Sequence, residues 1–549
     1  LMSSNSGKSP AREQWGSQFG FLMAAIGSAI GLGNIWRFPG VTYSNGGGAF
    51  MIPYVVALLT AGVPFLLLDY AVGHRYRGSS PAVFRRMSKR WEWLGWWHVV
   101  VCFVIMTYYA VIIGWSLRYT FYSVNTAWAQ DKDGAKDFFF NQFLHLSGTV
   151  GYNSSPVWNV VIPLVVVWAV VIAVIGKGVA GGVERANKVF LPLLVLLFVV
   201  LVVRALFLPG AVDGLNALWT PNFDSLGEPK VWVAAYSQIF YSLSIGFGIM
   251  LTYASYLPKK TNLVGTGLVA AFANSSFEVL AGFGVFGTLG FMAHQQGVGV
   301  DKLEGLTGIS LSFITFPTII NEMPGGALFG ILFFLSLTLA GITSLISLLQ
   351  VVGAAAAEKM GTTPLKAALV TGIPAAVVSV FVFGTTSGVY SLDVVDAYIN
   401  QVGVLSSAII MSAVTGVILR KLPMLRKHLN KVSDTKFVGQ WWIVIVGAAL
   451  PILLAYMMGD TVLGYIENGY NPKDYSRGFE GIFGWGMLAV AVVATIALTW
   501  APWRTNVDSF TAQDEEGAEY SHAGVPAPAQ KSDAKEVTSD AEAASSAQA

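Results

Sequence analysis

Charge is what this sequence has least of. Only 12% of its 549 residues are Asp, Glu, Lys or Arg, against roughly 25% in soluble domains, while 54% are hydrophobic. A soluble protein of this length needs charge over its surface, so the composition excludes an ordinary soluble fold. A net charge of +2 supplies no basic field, so nucleic acid is not expected as a partner.

Cysteine and enzyme motifs are also scarce. Cys102 is the one cysteine, so no intramolecular disulfide can form. The sequence contains no HExxH or GxSxG pattern, and its six histidines are scattered, so we do not expect an enzyme. The polar segment 1–16 is not followed by an apolar stretch with a small-residue cleavage site. We therefore expect the first apolar span, rather than a removable signal peptide, to direct membrane insertion.

Long uncharged runs take the place of charge, for example 156–175 and 367–384. A helix that crosses a bilayer needs about 20 such residues. The sequence therefore predicts an all-α membrane protein with twelve spans within 17–503, between a cytoplasmic segment 1–16 and an acidic cytoplasmic tail 504–549. The tail has almost no large apolar side chains, so we expect it to be disordered. The predicted spans are 17–45, 48–73, 96–125, 156–176, 187–208, 231–257, 262–293, 326–357, 364–384, 394–420, 438–458 and 480–503.

The distribution of Lys and Arg predicts the orientation. Basic residues cluster in the loops 74–95, 177–188, 258–261, 358–366 and 420–437, whereas the long loop 126–155 carries only Lys132 and Lys136. Basic loops are retained in the cytoplasm. We therefore expect a multi-pass protein of the cell membrane with both termini inside.

Two of the predicted spans contain more glycine than a lipid-facing helix tolerates. Span 1 reads GSAIGLGN over 27–34, and span 6 reads SLSIGFG over 242–248. Each glycine costs about 1 kcal/mol against alanine inside a helix. Paired interruptions in corresponding spans indicate an inverted repeat with spans 1 and 6 unwound at the bilayer midplane. The alternative is that these glycines only permit close helix packing.

Unwinding would expose peptide groups that are tolerated only inside the protein or along a cavity. The amide groups at the start of a half-helix favour an anion such as a carboxylate, and the freed carbonyl oxygens suit a small cation. The pattern therefore favours a binding site for an ion and a charged small molecule.

Several motifs in these spans resemble the neurotransmitter:sodium symporter family. They are GLGNIWRFP at 31–39, NGGGAF at 45–50 with Pro53-Tyr54, QIFYSLS at 238–244, YASY at 253–256 and AGITS at 340–344. The similarity covers nearly all of 12–500 in order. It implies a leucine-transporter-like 5+5 inverted repeat of spans 1–5 and 6–10, and sodium-coupled import of amino acids by alternating access.

The resemblance also implies the site residues, each at its matching position. The first sodium site would use the Ala29 carbonyl with Asn34, Ser242 and Asn274, and the second would use the carbonyls of Gly27, Ile30 and Ala340 with the hydroxyls of Thr343 and Ser344. Taken alone, those two hydroxyls could simply bond back to a carbonyl one turn earlier. The substrate pocket would comprise Ser28, Ala29, Leu32, Gly33, Ile105, Tyr109, Tyr241, Ser244, Phe247 and Leu348.

Gly31 bears on the substrate class. Amine-transporting members of the family have an aspartate at this position, so glycine leaves the negative charge to the substrate and favours an α-amino acid. Ile105, Phe247 and Leu348 are apolar, which favours an apolar amino acid such as methionine, alanine or leucine. Import of another small zwitterion or an amine, such as an osmolyte, is the nearest alternative. A channel is a more distant one, because paired broken helices indicate an occluded site.

The family resemblance assigns roles to further charged residues. Glu278, four residues after Asn274, would replace the chloride of chloride-dependent members, so no chloride requirement is expected. Asp69 lies one turn from the cytoplasmic end of span 2, where either interfacial solvation or function would explain it. A small single-span accessory subunit is left open as a partner. The outer gate would comprise Arg37 and Asp396, and the inner gate Arg12, Trp15, Tyr256 and Glu358.

Overall fold

The chain is almost entirely helical in the computed structural model, which describes residues 13–509, 511–513 and 519–521. The main helices are α1 Gln18–Ala29, α2 Leu32–Ser44, α3 Gly47–Tyr76, α4 Ser80–Met87, α5 Lys89–Tyr122, α6 Trp158–Gly176, α7 Val179–Leu206, α8 Ala211–Trp219, α9 Pro229–Ser242, α10 Ile249–Ala254, α11 Leu263–Gln296, α12 Phe316–Glu322, α13 Gly326–Met360, α14 Pro364–Phe383, α15 Gly388–Ile418, α16 Leu422–Val432, α17 Gln440–Asn468 and α18 Arg477–Trp500. Two short strands, Thr511–Gln513 and Glu519–Ser521, pair antiparallel beyond the helices.

Ten of these helices are long and apolar enough to cross a membrane, and the bent pair α1–α2 raises the number to eleven. The predicted sixth span is divided between α9 and α10, which contain 14 and 6 residues. Neither piece is long enough to cross alone, so the count of twelve remains a prediction. The protein is a helical, multi-spanning membrane protein.

The helical path is interrupted at both glycine-rich segments. Helices α1 and α2 meet at an angle of 55°, and Ile30 between them is extended, with φ −75° and ψ 100°. Between α9 and α10 the chain takes positive φ values at Ser244, Gly246 and Gly248. Glycine adopts this left-handed region without strain, but serine rarely does. Such a conformation persists only where surrounding contacts hold it.

Helices α5 and α13 form the interior of the bundle. In each of them 83% of the most apolar 18-residue stretch is buried inside the protein, against 22% of the corresponding stretch in α18 and 28% in α14. Helices that are apolar all round can lie either inside a bundle or against lipid. Here α5 and α13 bring Tyr109, Thr343 and Ser344 to the centre of the protein, beside the break between α1 and α2.

At the predicted cytoplasmic side, the buried carboxylate of Glu92 joins three parts of the chain. It accepts hydrogen bonds from Arg85 (3.2 Å), Trp96 (3.3 Å) and Trp503, and Lys359 Nζ lies 3.5 Å away. Buried charges are tolerated when they are paired and hydrogen-bonded. Glu92 therefore fixes the start of α5 against the end of α13 and the chain after α18.

Residues 504–509 differ from the disorder predicted for the tail. The Arg504 amide donates to the Lys359 carbonyl (2.9 Å), and Thr505 donates its hydroxyl to the Glu358 carbonyl (2.7 Å). Asp508 accepts two 2.9 Å hydrogen bonds from Arg85, and this carboxylate raises the pKa of the Arg85 guanidinium. Specific polar contacts thus order a segment whose one apolar side chain, Val507, is buried. The part of the predicted tail from 522 to 549 lies outside the described residues, as does 1–12 of the predicted N-terminal segment.

We expect Lys359→Gln to destabilise the protein by about 3 kcal/mol, because it removes one partner of a buried ion pair. The matched control is Lys230→Gln. Lys230 pairs with Glu228 at 3.2 Å, but 76% of its side chain is exposed, so its loss should cost less than about 1 kcal/mol. The midpoint of thermal unfolding in detergent measures both effects. Equal shifts in the two variants would show that the Glu92 cluster adds no special stability.

Candidate functional site

A chain of polar side chains connects the break after α1 to the break after α9. Asn34 accepts the Gly31 amide on Oδ1 (3.1 Å) and donates from Nδ2 to Asn274 Oδ1 (2.8 Å). Asn274 Nδ2 donates to Ser242 Oγ (2.6 Å), and Ser242 donates to Glu278. The structure therefore brings together the three side chains predicted for the first sodium site. Ala29, the fourth predicted residue, is the buried last residue of α1.

Glu278 is completely buried and is surrounded by neutral donors. Gln238 donates to its Oε1 at 3.0 Å, and the hydroxyls of Ser242 and Tyr54 donate to the two carboxylate oxygens. A buried carboxylate is stabilised when its oxygens accept hydrogen bonds. Glu278 is therefore connected to Asn274 indirectly, because Ser242 hydrogen-bonds to both residues.

Two hydroxyls on α13 face the break after α1. Ser344 donates to the Ser28 carbonyl (3.1 Å) and lies 3.4 Å from the Ile30 carbonyl oxygen. Thr343 donates to the Ala340 carbonyl at 3.0 Å, which is the local bond that the alternative interpretation expected. A Cβ placed on Gly27 would lie 3.4 Å from the Thr343 Cβ. The five residues predicted for the second sodium site thus come from the same two segments.

Several residues of the predicted substrate pocket meet at the two breaks. The Leu32 amide, at the start of α2, donates to the Tyr109 hydroxyl (3.2 Å), and Ser244 donates to the Ser28 carbonyl (3.2 Å). A Cβ on Gly33 would meet no atom within 4 Å, so space is open beside α2. Ile105, Phe247 and Leu348 are buried, each less than 10% exposed.

The predicted inner gate is in contact at Trp15. The Trp15 amide donates to the Tyr256 carbonyl (3.1 Å) and its indole to the Tyr253 carbonyl (2.8 Å). The Trp15 and Tyr256 rings are 6.2 Å apart. Glu358 accepts hydrogen bonds from the amide and the hydroxyl of Ser79. Arg12, its predicted partner, lies outside the described residues.

The predicted outer gate is arranged differently. The Arg37 guanidinium lies 5.3 Å from the centre of the Tyr241 ring, a cation–π geometry. Asp396 instead accepts a 2.8 Å hydrogen bond from Asn400. Within the described part of the chain, Arg37 and Asp396 form no ion pair within 4.0 Å. The two residues are linked through Tyr241 and Asn400, which bond to each other.

Sequence reasoning missed some residues of this region and misplaced another. Tyr54 and Gln238 both belong to motifs that carry the family resemblance, but neither was predicted to donate a hydrogen bond to Glu278. Asn400 carried no sequence signal. Interfacial solvation does not explain Asp69: it is fully buried and accepts the Gly246 amide at 3.0 Å. The position along the span suggested the interface, but the break after α9 folds back over Asp69.

Comparisons with known proteins show which family the chain belongs to. The sequence pattern of the sodium:neurotransmitter symporter family matches residues 12–134 and 124–505. An uncharacterized sodium-dependent transporter of Methanocaldococcus jannaschii is 39% identical over 493 residues, which are 89% of this chain and 97% of that protein. The human sodium- and chloride-dependent creatine transporter 1 is 33% identical over 373 residues, which are 61% of this chain and 58% of that protein.

A solved structure shows the same likeness in three dimensions. MhsT in complex with L-phenylalanine superposes with a TM-score of 0.68 at 30% identity, covering 81% of this chain and 99% of MhsT. The chain is thus a sodium-dependent membrane transporter and not an enzyme. It belongs to the sodium:neurotransmitter symporter family, as the sequence motifs predicted.

We expect Gly31→Ala to destabilise the protein by about 1–3 kcal/mol, the usual cost of overpacking. A Cβ there would lie 2.8 Å from the Tyr109 hydroxyl and 3.0 Å from Ser344 Oγ, so it would push Tyr109 off the Leu32 amide. Gly33→Ala is the matched control, since its Cβ meets open space. The midpoint of thermal unfolding of both variants, measured in sodium, tests this prediction. If Gly33→Ala lowered the midpoint as much as Gly31→Ala does, the steric explanation would be refuted.

Proposed function

We propose that this protein imports an apolar amino acid together with sodium, by alternating access and without a chloride requirement. The observation that carries the proposal is the chain Asn34–Asn274–Ser242–Glu278, which joins the two helix breaks through buried oxygen-bearing side chains. Neutral carbonyl, amide and hydroxyl oxygens are suitable donors for a hard cation. The same breaks leave amides available to a carboxylate.

The two sodium ions are assigned to two groups of donors. Asn34, Ser242 and Asn274, with the Ala29 carbonyl, would hold the first. Ser344, Thr343 and the carbonyls of Gly27, Ile30 and Ala340 would hold the second. The Ser344 hydroxyl already lies among carbonyl oxygens of α1, which supports the second assignment.

The substrate assignment follows from the amide at the start of α2. The Leu32 amide and the Tyr109 hydroxyl bond to each other, and both can turn to a substrate carboxylate. An aspartate at Gly31 would have to displace Tyr109 and Ser344, which supports a substrate that brings its own negative charge. The pocket wall of Ile105, Phe247 and Leu348 supports an apolar side chain. L-phenylalanine bound to the related MhsT is consistent with this class.

We further propose twelve spans in a 5+5 inverted repeat, with α1–α2 as span 1 and α9–α10 as span 6. Both termini would lie in the cytoplasm. Trp15 and Tyr256, with Arg12 and Glu358, would then close the cytoplasmic side, and Arg37 and Asp396 the outer side.

Uptake into proteoliposomes tests the proposal. A thermal-shift panel of the twenty amino acids in sodium first identifies the ligand, because a ligand that binds the folded protein raises its apparent stability. We expect that amino acid to accumulate only with an inward sodium gradient. Uptake of equal size with an inward potassium gradient would refute sodium coupling, and an empty panel would refute the substrate class.

A second prediction concerns chloride. In the unaltered protein, replacement of chloride by gluconate should leave sodium-driven uptake unchanged, because Glu278 already supplies a negative charge. Glu278→Ser removes that charge but keeps the donors Tyr54, Gln238 and Ser242 around the cavity. Its uptake should be low in gluconate and should rise at least about tenfold in chloride, since hydrogen bonds to a charged group are the strong ones.

Glu278→Leu is the control for this chloride experiment. Leucine also removes the charge, but it fills the cavity with an apolar side chain, so chloride should not restore uptake. Chloride dependence of the unaltered protein, or equal chloride rescue of the leucine variant, would contradict the role assigned to Glu278.

A further inference from the structure

Asn400 lies one helical turn after Asp396, where α15 widens into a π-helical turn. The segment Gly388–Tyr398 is regular α-helix, and the next residues, Ile399–Val404, take the wider spacing. Such turns inside α-helices occur frequently at functional sites. Asn400, Asp396 and Arg37 are all half-buried, so this turn borders the region between the predicted gate residues.

The Asn400 side chain holds the Asp396 carboxylate. Its Nδ2 donates to Asp396 Oδ1 at 2.8 Å and also lies 2.9 Å from the Asp396 carbonyl oxygen and 3.2 Å from the Tyr108 hydroxyl. An amide nitrogen has two hydrogens, so these three acceptors occupy it fully. The Tyr108 hydroxyl on α5 also donates to the Asp396 carboxylate. Asp396 is therefore held by Asn400 and Tyr108 and not by Arg37.

The Asn400 backbone holds the partner of Arg37. The Tyr241 hydroxyl donates to the Asn400 carbonyl at 3.2 Å, and the Arg37 guanidinium lies over the Tyr241 ring. Asp396 is thus bound to the Asn400 side chain, and Arg37 contacts Tyr241, which is bound to the Asn400 backbone. Asn400 therefore connects the partners of both predicted gate residues. For Arg37 to reach Asp396, the carboxylate must leave the Asn400 amide.

The competition between these partners has a predictable size. A hydrogen bond to a charged group contributes more net free energy than one between neutral groups. An ion pair between solvent-exposed side chains contributes no more than that. The Asn400 bond can therefore shift the balance between a separated and a paired Arg37–Asp396 by about tenfold.

We propose that Asn400 is a positioning residue that keeps the outer gate open by holding Asp396 away from Arg37. This inference rests on the proposed function, because it takes Arg37 and Asp396 as the outer gate. Asn400 belongs neither to the proposed sodium sites nor to the proposed substrate pocket. It sets how often the path to them is open before substrate arrives.

Access from outside can be measured at Gly33. Gly33 lies one turn before Arg37 on α2, and a Cβ there meets no atom within 4 Å, so Gly33→Cys provides a reporter with room for its thiol. The natural Cys102 is fully buried and does not compete. The probe is a membrane-impermeant methanethiosulfonate reagent added outside proteoliposomes in sodium without substrate.

In the Gly33→Cys protein, Asn400→Leu should slow labelling by about tenfold, because Asp396 loses the Asn400 bond, keeps only Tyr108 as a partner and pairs more readily with Arg37, which closes the path. Asn400→Leu has no effect on labelling when Asp396→Asn is also present, since no carboxylate is left to release. This dependence on a second residue is the signature of coupling between contacting groups. Gln401→Leu, which alters the neighbouring half-buried amide side chain, is the matched control and should label at the original rate.

Two results would overturn the proposal. One is an unchanged labelling rate in Asn400→Leu. The other is the same slowing with Asp396→Asn present, which would indicate general damage to α15, as would a lowered unfolding midpoint. The proposed function is tested separately by uptake through the unaltered protein. Sodium-driven uptake together with unchanged labelling would refute the role of Asn400 alone, whereas a lack of uptake would refute the function itself.

Discussion

The structure depends on how peptide groups are satisfied where two helices stop inside the bundle. An unpaired backbone amide or carbonyl in an apolar environment costs several kcal/mol, so each needs a partner. Side chains from other helices supply them: Tyr109 for the Leu32 amide, Asp69 for the Gly246 amide, and Ser344 for the Ser28 carbonyl. The breaks are thus held open by the long buried helices around them, and α1 and α9 could not end where they do without those helices.

The sequence predicted these breaks because their cause is local. Glycine and serine at 27–33 and 242–248 weaken a helix through their own conformational freedom, and that property is visible in a linear pattern. The family motifs then assigned the site residues. In the structure Asn34, Ser242 and Asn274 are joined by hydrogen bonds, and their role in binding sodium stays a prediction. The partners of Glu278 and Asp396 were not predictable in the same way. Gln238 and Asn400 are ordinary helix residues whose roles come from distant packing.

The same distinction explains the errors outside the site. The composition of residues 504–509 indicates disorder, because composition measures how much apolar surface a segment can bury. Order there comes from a few polar contacts with Arg85 and Lys359, which are far away in the sequence. Asp69 was placed near the interface by counting along one helix. Its burial depends on the segment after α9, which covers it.

The two ends of the proposed transport path are held by contacts of different kinds. At Trp15, two hydrogen bonds to backbone carbonyls and edge-to-face ring contacts join the segment before α1 to the end of α10, and opening requires several contacts to break together. Between Arg37 and Asp396 there are only side-chain partners, each of which can be exchanged singly. A structure with the first contact made and the second pair separated is what a transporter needs while it waits for substrate from outside. The proposed first sodium site follows the same logic: the donors that hydrogen-bond to Glu278 are neutral, so a cation held by Asn274 and Ser242 would stabilise its carboxylate. In the proposed function, ion binding and the charge of Glu278 would therefore be coupled through one shared hydroxyl, that of Ser242.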